Sequence, residues 1–127
     1  MPNTNALIID DDPNSLEVLG RLLRNQGVKF QAVQDASMLT ETAQDLNRFD
    51  VIFLDLEMPR ISGYELFEIF RAQHGITAPI IACSVHSNEM DTVRELGFQG
   101  FVGKPLVPEL FGDQLQRILH NQPVWDN

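Results

Sequence analysis

Cysteine is nearly absent from this chain: Cys83 stands alone among 127 residues, so no disulfide can form within it. Its neighbours Ile80, Ile81 and Ala82 are apolar, which makes a plain core position the first expectation and a reactive thiol a distant second. Positive charge is scarce as well. Nine Lys and Arg face eighteen Asp and Glu, a formal charge of −9, which argues against direct binding of nucleic acid. No basic segment followed by an apolar core opens the sequence, so no signal peptide is read, and no apolar run reaches the length of a membrane span. There is no internal repeat, no low-complexity stretch and no Gly-rich phosphate loop after an apolar run. These absences leave a cytoplasmic globular protein. A chain of 127 residues suffices for one domain that buries roughly two-thirds of its unfolded surface.

Short apolar runs are what the sequence does have. Val51-Ile52-Phe53-Leu54 reads as a buried strand that ends on a carboxylate, Asp55, with Pro59 barring simple continuation. Ala6-Leu7-Ile8-Ile9 ends on Asp10-Asp11-Asp12, and Asp12-Pro13 is a helix start with Asp at the N-cap. Val28 to Val33, Pro79 to Ser84 and Phe101 to Gly103 are further strands, the last running into Lys104-Pro105. Between them helices are predicted from Pro13 to about Gly27, over Ser37 to Asn47, from Ser62 to about His74, over Asn88 to Leu96, and from about Pro108 to His120. Ser62 with Glu65 three residues on forms a capping box. Continuous apolar strands alternating with helices mark a parallel sheet covered on both faces. The fold class is therefore α/β: a flavodoxin-like (βα)5 three-layer sandwich with a five-stranded sheet of order 2-1-3-4-5. Residues 1–121 make one domain and 122–127 a polar tail, in which Trp125 is expected to pack back on the surface.

The polar residues that break the runs all fall at the carboxyl ends of strands: Asp10, Asp11, Asp55, Ser84 and Lys104. In an open parallel sheet ligands bind there, at the point where strand order reverses. Strands one and three flank that point, which sets Asp11 beside Asp55. Clustered carboxylates raise one another's pKa, and a bound Mg²⁺, with its preference for oxygen ligands, relieves the conflict. A carboxylate can attack phosphorus to give an aspartyl phosphate. A lysine ammonium can hold a transferred oxygen, and a hydroxyl at the end of strand four can bond the new phosphate and bias a two-state element.

Taken together, the acidic cluster after strand one, Phe53-Leu54-Asp55-Leu56-Glu57-Met58-Pro59, Ser62-Gly63, Ser84 and Lys104-Pro105 make the chain resemble a response regulator receiver domain, the CheY-like phosphoacceptor module of two-component signalling. The resemblance covers roughly Ala6 to Asn121. It implies that Asp55 is phosphorylated, that Asp11 holds Mg²⁺ directly and Asp10 through water, and that Glu57 offers the metal its backbone carbonyl. It makes Ser84 the switch hydroxyl, Lys104 the phosphate partner, and Phe101 the aromatic that changes rotamer with Ser84. It also implies a cis Lys104–Pro105 bond. The phosphoryl group would come from a histidine kinase or a histidine phosphotransfer protein. The effect would pass to an unknown downstream protein, from a monomer or a phosphorylation-dependent dimer, with no membrane or nucleic acid involved. Three departures stand out: Ser84 where Thr is commonest, which keeps the hydroxyl; Val85 where a small residue is usual, which is expected to narrow access to the phosphate; and a segment from Ser84 to Lys104 about two residues short of the family pattern, which bears on partner choice.

The expected function is thus a stand-alone phosphorylation-dependent switch, not an enzyme. The alternative is a receiver fold kept as a phosphorylation-independent interaction module. A third reading, a phosphohydrolase of the haloacid dehalogenase type, also uses an aspartyl nucleophile, with a second acid two residues after it on the first strand, a spacing that Asp10-Asp11-Asp12 contains. Here the strongest motif lies on the third strand, and no cap domain is read. Asp12 is read as an N-cap rather than a ligand. His86 reads as an exposed loop residue, and His74 and His120 suit helix C-termini.

Overall fold

Periodicity of two in the strands and near 3.6 between them becomes, in the computed structural model, a wound α/β sheet. The structure describes residues 3–40 and 43–126. In chain order these are β1 (Asn5–Ile9), α1 (Pro13–Asn25), β2 (Lys29–Val33), two 3-10 segments (Ala36–Thr40 and Ala43–Arg48), β3 (Val51–Asp55) and α2 (Gly63–Glu68), which runs into a π-helical turn (Ile69–Gln73). Then come β4 (Ile80–Ser84), a 3-10 turn (Ser87–Glu89), α3 (Met90–Leu96), β5 (Gly100–Gly103), α4 (Pro108–Leu119) and β6 (Val124–Asp126). Among the described residues the sheet has six strands, all parallel, in the order β2-β1-β3-β4-β5-β6.

The continuous apolar runs are explained by burial on both faces. Leu7, Ile9, Ile52, Leu54, Ile80, Ala82 and Phe101 point into one core with Leu66, Phe67 and Phe70 of α2 and its π turn and Val93 of α3. Ala6, Ile8, Phe53, Ile81, Cys83 and Val102 point into the other with Leu19 and Leu23 of α1 and Phe111 and Leu115 of α4. Successive residues thus feed opposite cores. Cys83 is a buried core thiol whose pKa is pushed up to about 12 by burial, so it is inert at neutral pH.

Two elements differ from the sequence reading. The expected five strands gain a sixth, since Val124–Asp126 pairs with β5, and Trp125 packs back onto the first core. Three residues after a proline are too short to show a period, so tertiary contacts decide the pairing. The expected helix over Ser37 to Asn47 is instead two 3-10 segments. Ala36 with Leu39, and Leu46 with Phe49, bury at a spacing of three, and side chains three apart eclipse in a 3-10 helix. Ala43, which falls with Leu39 and Leu46 on one face of the expected helix, has its side chain outside the described residues.

The helix starts follow their caps. Asp12 accepts from the Asn14 N–H at 3.0 Å with Pro13 next in the helix. At α2 Ser62 Oγ accepts from the Glu65 N–H at 3.1 Å while Glu65 Oε1 accepts from the Ser62 N–H at 3.2 Å. This capping box fixes the turn that follows Asp55. Gly63 donates its N–H to the Leu56 carbonyl at 3.0 Å, and a Cβ there would collide with the Asp55 carbonyl and lie 2.8 Å from Leu56 Cα. Both obstacles are backbone, so neither can swing aside. Gly63→Ala is therefore expected to destabilise the fold by about 1–3 kcal/mol, read as a lower midpoint in urea unfolding with an unchanged slope.

Candidate functional site

Four strands deliver the site. Ile9 and Leu54 are register partners in β1 and β3, so Asp10, just past β1, and Asp55, the last residue of β3, lie side by side. Lys104 follows β5 and reaches across. Its Nζ donates to Asp10 Oδ2 at 2.7 Å and to Asp55 Oδ1 at 3.1 Å. All three side chains are largely withdrawn from water, at 19% exposure for Lys104, 11% for Asp10 and 6% for Asp55, so the pairing acts in a medium where charges interact strongly. The Lys104–Pro105 peptide bond is cis. Asp11 joins them: carboxylate oxygens of Asp10, Asp11 and Asp55 all lie within 4.8 Å of one another.

Three carboxylates share one ammonium, and the titration behaviour shows the imbalance. Burial raises the Asp55 pKa; Lys104 opposes that, Asp10 adds to it, and the carboxyl ends at about 7. Burial disfavours the Lys104 charge, yet hydrogen bonding and attraction from Asp10 and Asp55 more than offset this and hold its pKa above the ordinary lysine value. The oxygen-only donor set and its residual negative charge suit a hard divalent cation of the Mg²⁺ kind. Beside the cluster lies a cavity of about 370 Å³, lined by Asn14, Leu16, Phe53, Asp55, Lys104 and Leu106 among others. It gives an incoming reagent room next to Asp55.

Ser84 ends β4 and is buried. Its Oγ accepts from the His86 N–H at 3.0 Å and has two carboxylates in donating range, Glu57 Oε1 at 3.0 Å and Glu89 Oε2 at 3.1 Å. One hydroxyl proton serves one of them at a time. Burial and the neighbouring Glu57 raise the Glu89 pKa, against the lowering effect of Ser84. The Glu57 carboxylate also lies 3.9 Å from His86 Nε2. Phe101 is fully buried on β5, in register with Ala82 of β4 on one side and Trp125 of β6 on the other.

The sequence-derived residues thus fall into two groups. Asp10, Asp11, Asp55 and Lys104 form the polar centre, and Ser84 with the Glu57 side chain forms an adjoining one, with Phe101 in the core behind it. Glu89 escaped the sequence reading; the available signal was an acid at the mouth of the α3 helix, five residues after Ser84. Val85 is 62% exposed at this edge, so its bulk faces solvent rather than Asp55.

Residues 6–116 match the response regulator receiver domain family. The DNA-binding response regulator MtrA of Mycolicibacterium smegmatis is 31% identical over 119 residues, which are 91% of this chain and 51% of that protein. The sensor histidine kinase GacS of Pseudomonas protegens is 29% identical over 107 residues, 80% of this chain and 12% of that one. Among solved structures, the chemotaxis protein CheY4 of Vibrio cholerae superposes with a TM-score of 0.78 at 26% identity, covering 91% of this chain and 98% of its own. The receiver domain of sensor histidine kinase PA1611 from Pseudomonas aeruginosa, solved with a magnesium ion coordinated in its active site cleft, gives 0.79 at 24% identity, covering 93% and 98%. The chain belongs to the response regulator receiver domain family. It spans about half the length of the MtrA relatives that it matches. Receiver domains are signalling modules of two-component systems. No helix among the described residues is long and apolar enough to cross a membrane.

Proposed function

We propose that this receiver accepts a phosphoryl group on Asp55 and thereby switches its contacts with other proteins. The observation that supports this most is the Lys104 ammonium held between Asp10 and Asp55, with Asp11 completing a cluster of three carboxylates. Asp10, Asp11, Asp55 and the backbone carbonyl of Glu57 would hold Mg²⁺. When bound, that ion neutralises the oxygens of the phosphoryl group as it transfers.

The chain's own residues do the rest. An Asp55 oxygen attacks the phosphorus of a phosphohistidine on a kinase or phosphotransfer protein; the new O–P bond forms as the N–P bond breaks, and the imidazole leaves with its electron pair. Lys104 already donates to Asp55 and can shift one hydrogen bond to a phosphoryl oxygen without moving its chain. Ser84 can exchange its carboxylate partner for another oxygen of the same group, and Phe101 can respond in the space behind it. Because these bonds exist only in the phosphorylated state, they can bias a conformational equilibrium.

The stand-alone, cytoplasmic arrangement belongs to this proposal, with CheY4, covered to 98% of its chain, as the parallel; a receiver joined to an output domain would use the same chemistry. The downstream partner is a protein, and release of the phosphoryl group returns the resting state. The test is intact mass after incubation with Mg²⁺ and acetyl phosphate. A gain of one phosphoryl group, absent when a chelator is present during the incubation, supports the reading; no gain would leave an interaction module that works without phosphorylation.

A further inference from the structure

The sixth strand is tied to Ser84 by a short path. Gly100 pairs with Val124, Phe101 with Trp125 and Val102 with Asp126. Val124 is fully buried, and it fits only because residue 100 has no side chain: a Cβ on Gly100 would lie 2.8 Å from the Val124 carbonyl oxygen. Trp125 packs in part against the first core, and the remaining side-chain contacts are polar. Asp126 Oδ2 accepts from Arg117 Nη2 at 2.9 Å and from Gln114 Nε2 at 3.0 Å, and the Arg94 guanidinium sits 4.5 Å from the centre of the Trp125 ring. Contacts of this kind are individually weak. Docking also leaves Gln114 Oε1 buried without a hydrogen-bond partner among the described residues, a penalty that release would remove by admitting water.

Arg94 belongs to α3, a helix of seven residues whose N-terminus is next to Glu89. The Ser84 hydroxyl lies 3.1 Å from Glu89 Oε2 and 3.0 Å from Glu57 Oε1, so it is a donor shared by the two acids. If that hydroxyl turns away, Glu89 and Glu57 lose the donor they share, and repulsion between the two acids grows. The turn that begins α3 then moves, and Arg94 moves with it.

We propose that Val124–Asp126 is a releasable strap on the β5 edge, docked while Ser84 serves Glu89 and freed when Ser84 turns to a phosphoryl group on Asp55. It covers the surface between α3 and α4, so its release exposes the β5 edge to another chain. The inference rests on the phosphoacceptor reading above. Coupling of this kind is reciprocal: whatever loosens the strap must strengthen binding at Asp55.

Trp125 is the only tryptophan in the sequence and reports on the strap directly. With Mg²⁺ and beryllofluoride, a phosphoryl mimic, its emission should move to the red and become more accessible to acrylamide, while Asp55→Asn should show neither change. Gly100→Ala, which pushes the strap off, should bind beryllofluoride at least about fivefold more tightly than the parent. Arg94→Ala, which leaves the strand pairing itself intact, should shift affinity in the same direction and guards against misfolding of the glycine variant. Beryllofluoride bound with Trp125 unchanged, or unaltered affinity in both variants, would overturn the strap alone. No beryllofluoride binding and no phosphoryl gain by mass would remove the phosphoacceptor reading and the strap with it.

Discussion

Lys104→Met should unfold far more readily than the parent at pH 8 without divalent cations, by about 3–5 kcal/mol. Methionine keeps most of the apolar stem, so packing changes little. What disappears is the ammonium at 2.7 Å from Asp10 and 3.1 Å from Asp55, which leaves two withdrawn carboxylates facing each other. In the parent, the Lys104 pKa lies above its unfolded value; its contribution is therefore fully present below about pH 10 and lost only as pH rises through the folded pKa. The pH dependence of the difference comes instead from the carboxylates. Below about pH 7 Asp55 takes a proton, the repulsion eases, and the gap between variant and parent should narrow. Mg²⁺ should narrow it at pH 8, because a ligand that binds only the folded state stabilises it by mass action. Thermal unfolding in chelator at pH 5 and pH 8, then with Mg²⁺, measures all three. A loss under 1 kcal/mol at pH 8 would show that Lys104 is not what holds the two acids together.

Asp55→Asn should do the opposite and stabilise the metal-free protein. Asparagine matches the shape, still accepts from Lys104, and removes one of too many negative charges. The sign follows from the direction of the pKa. An acid whose folded pKa is raised binds its proton more tightly folded than unfolded, so stability falls as pH climbs from about 4 to about 7. The benefit of Asp55→Asn should be absent near pH 4 and complete above pH 7. Each pKa unit corresponds to about 1.4 kcal/mol; a carboxyl raised from 3.8 to about 7 bounds the gain at about 4 kcal/mol. With its partner lysine adjusting to the change, about 1–3 kcal/mol is expected. The same variant should gain little from Mg²⁺, since one oxygen ligand has lost its charge. A parent and variant of equal stability at pH 8 would mean that Asp55 is not under charge strain.

These opposite signs come from residues that were legible in the sequence for a physical reason. Strands buried on both faces must be continuously apolar, so the charges after Ile9, at Asp55 and at Lys104 stand out as punctuation, and a parallel sheet brings such ends to one edge. The centre was therefore readable without coordinates. The strand Val124–Asp126 was not, because only Val124 is fully buried and the pairing depends on the missing side chain of Gly100, more than twenty residues back in the chain. The segment after Asp35 was misjudged as one helix because Leu39 and Leu46 also fit a helical stripe. Their actual partners, Ala36 and Phe49, sit three residues from each, and a spacing of three does not distinguish the two helix types over so short a stretch. Glu89 was passed over because a Glu beside a helix start is so often a cap or dipole residue. Its bond to Ser84 depends on how the turn between β4 and α3 folds back, which no local pattern encodes.

In the proposed mechanism a phosphoryl group is transferred to Asp55 in particular. That transfer is tested most directly by treating the parent with Mg²⁺ and acetyl phosphate, trapping any acyl phosphate by borohydride reduction, and mapping the peptides by mass. Reduction converts a phosphorylated aspartate to homoserine, which marks the acceptor permanently. Homoserine is expected in place of Asp55 alone, only in the samples that contained Mg²⁺, with no phosphoryl gain in Asp55→Asn. Conversion at Asp10 or Asp11 instead, or equal phosphoryl gain in the Asp55→Asn variant, would contradict that mechanism.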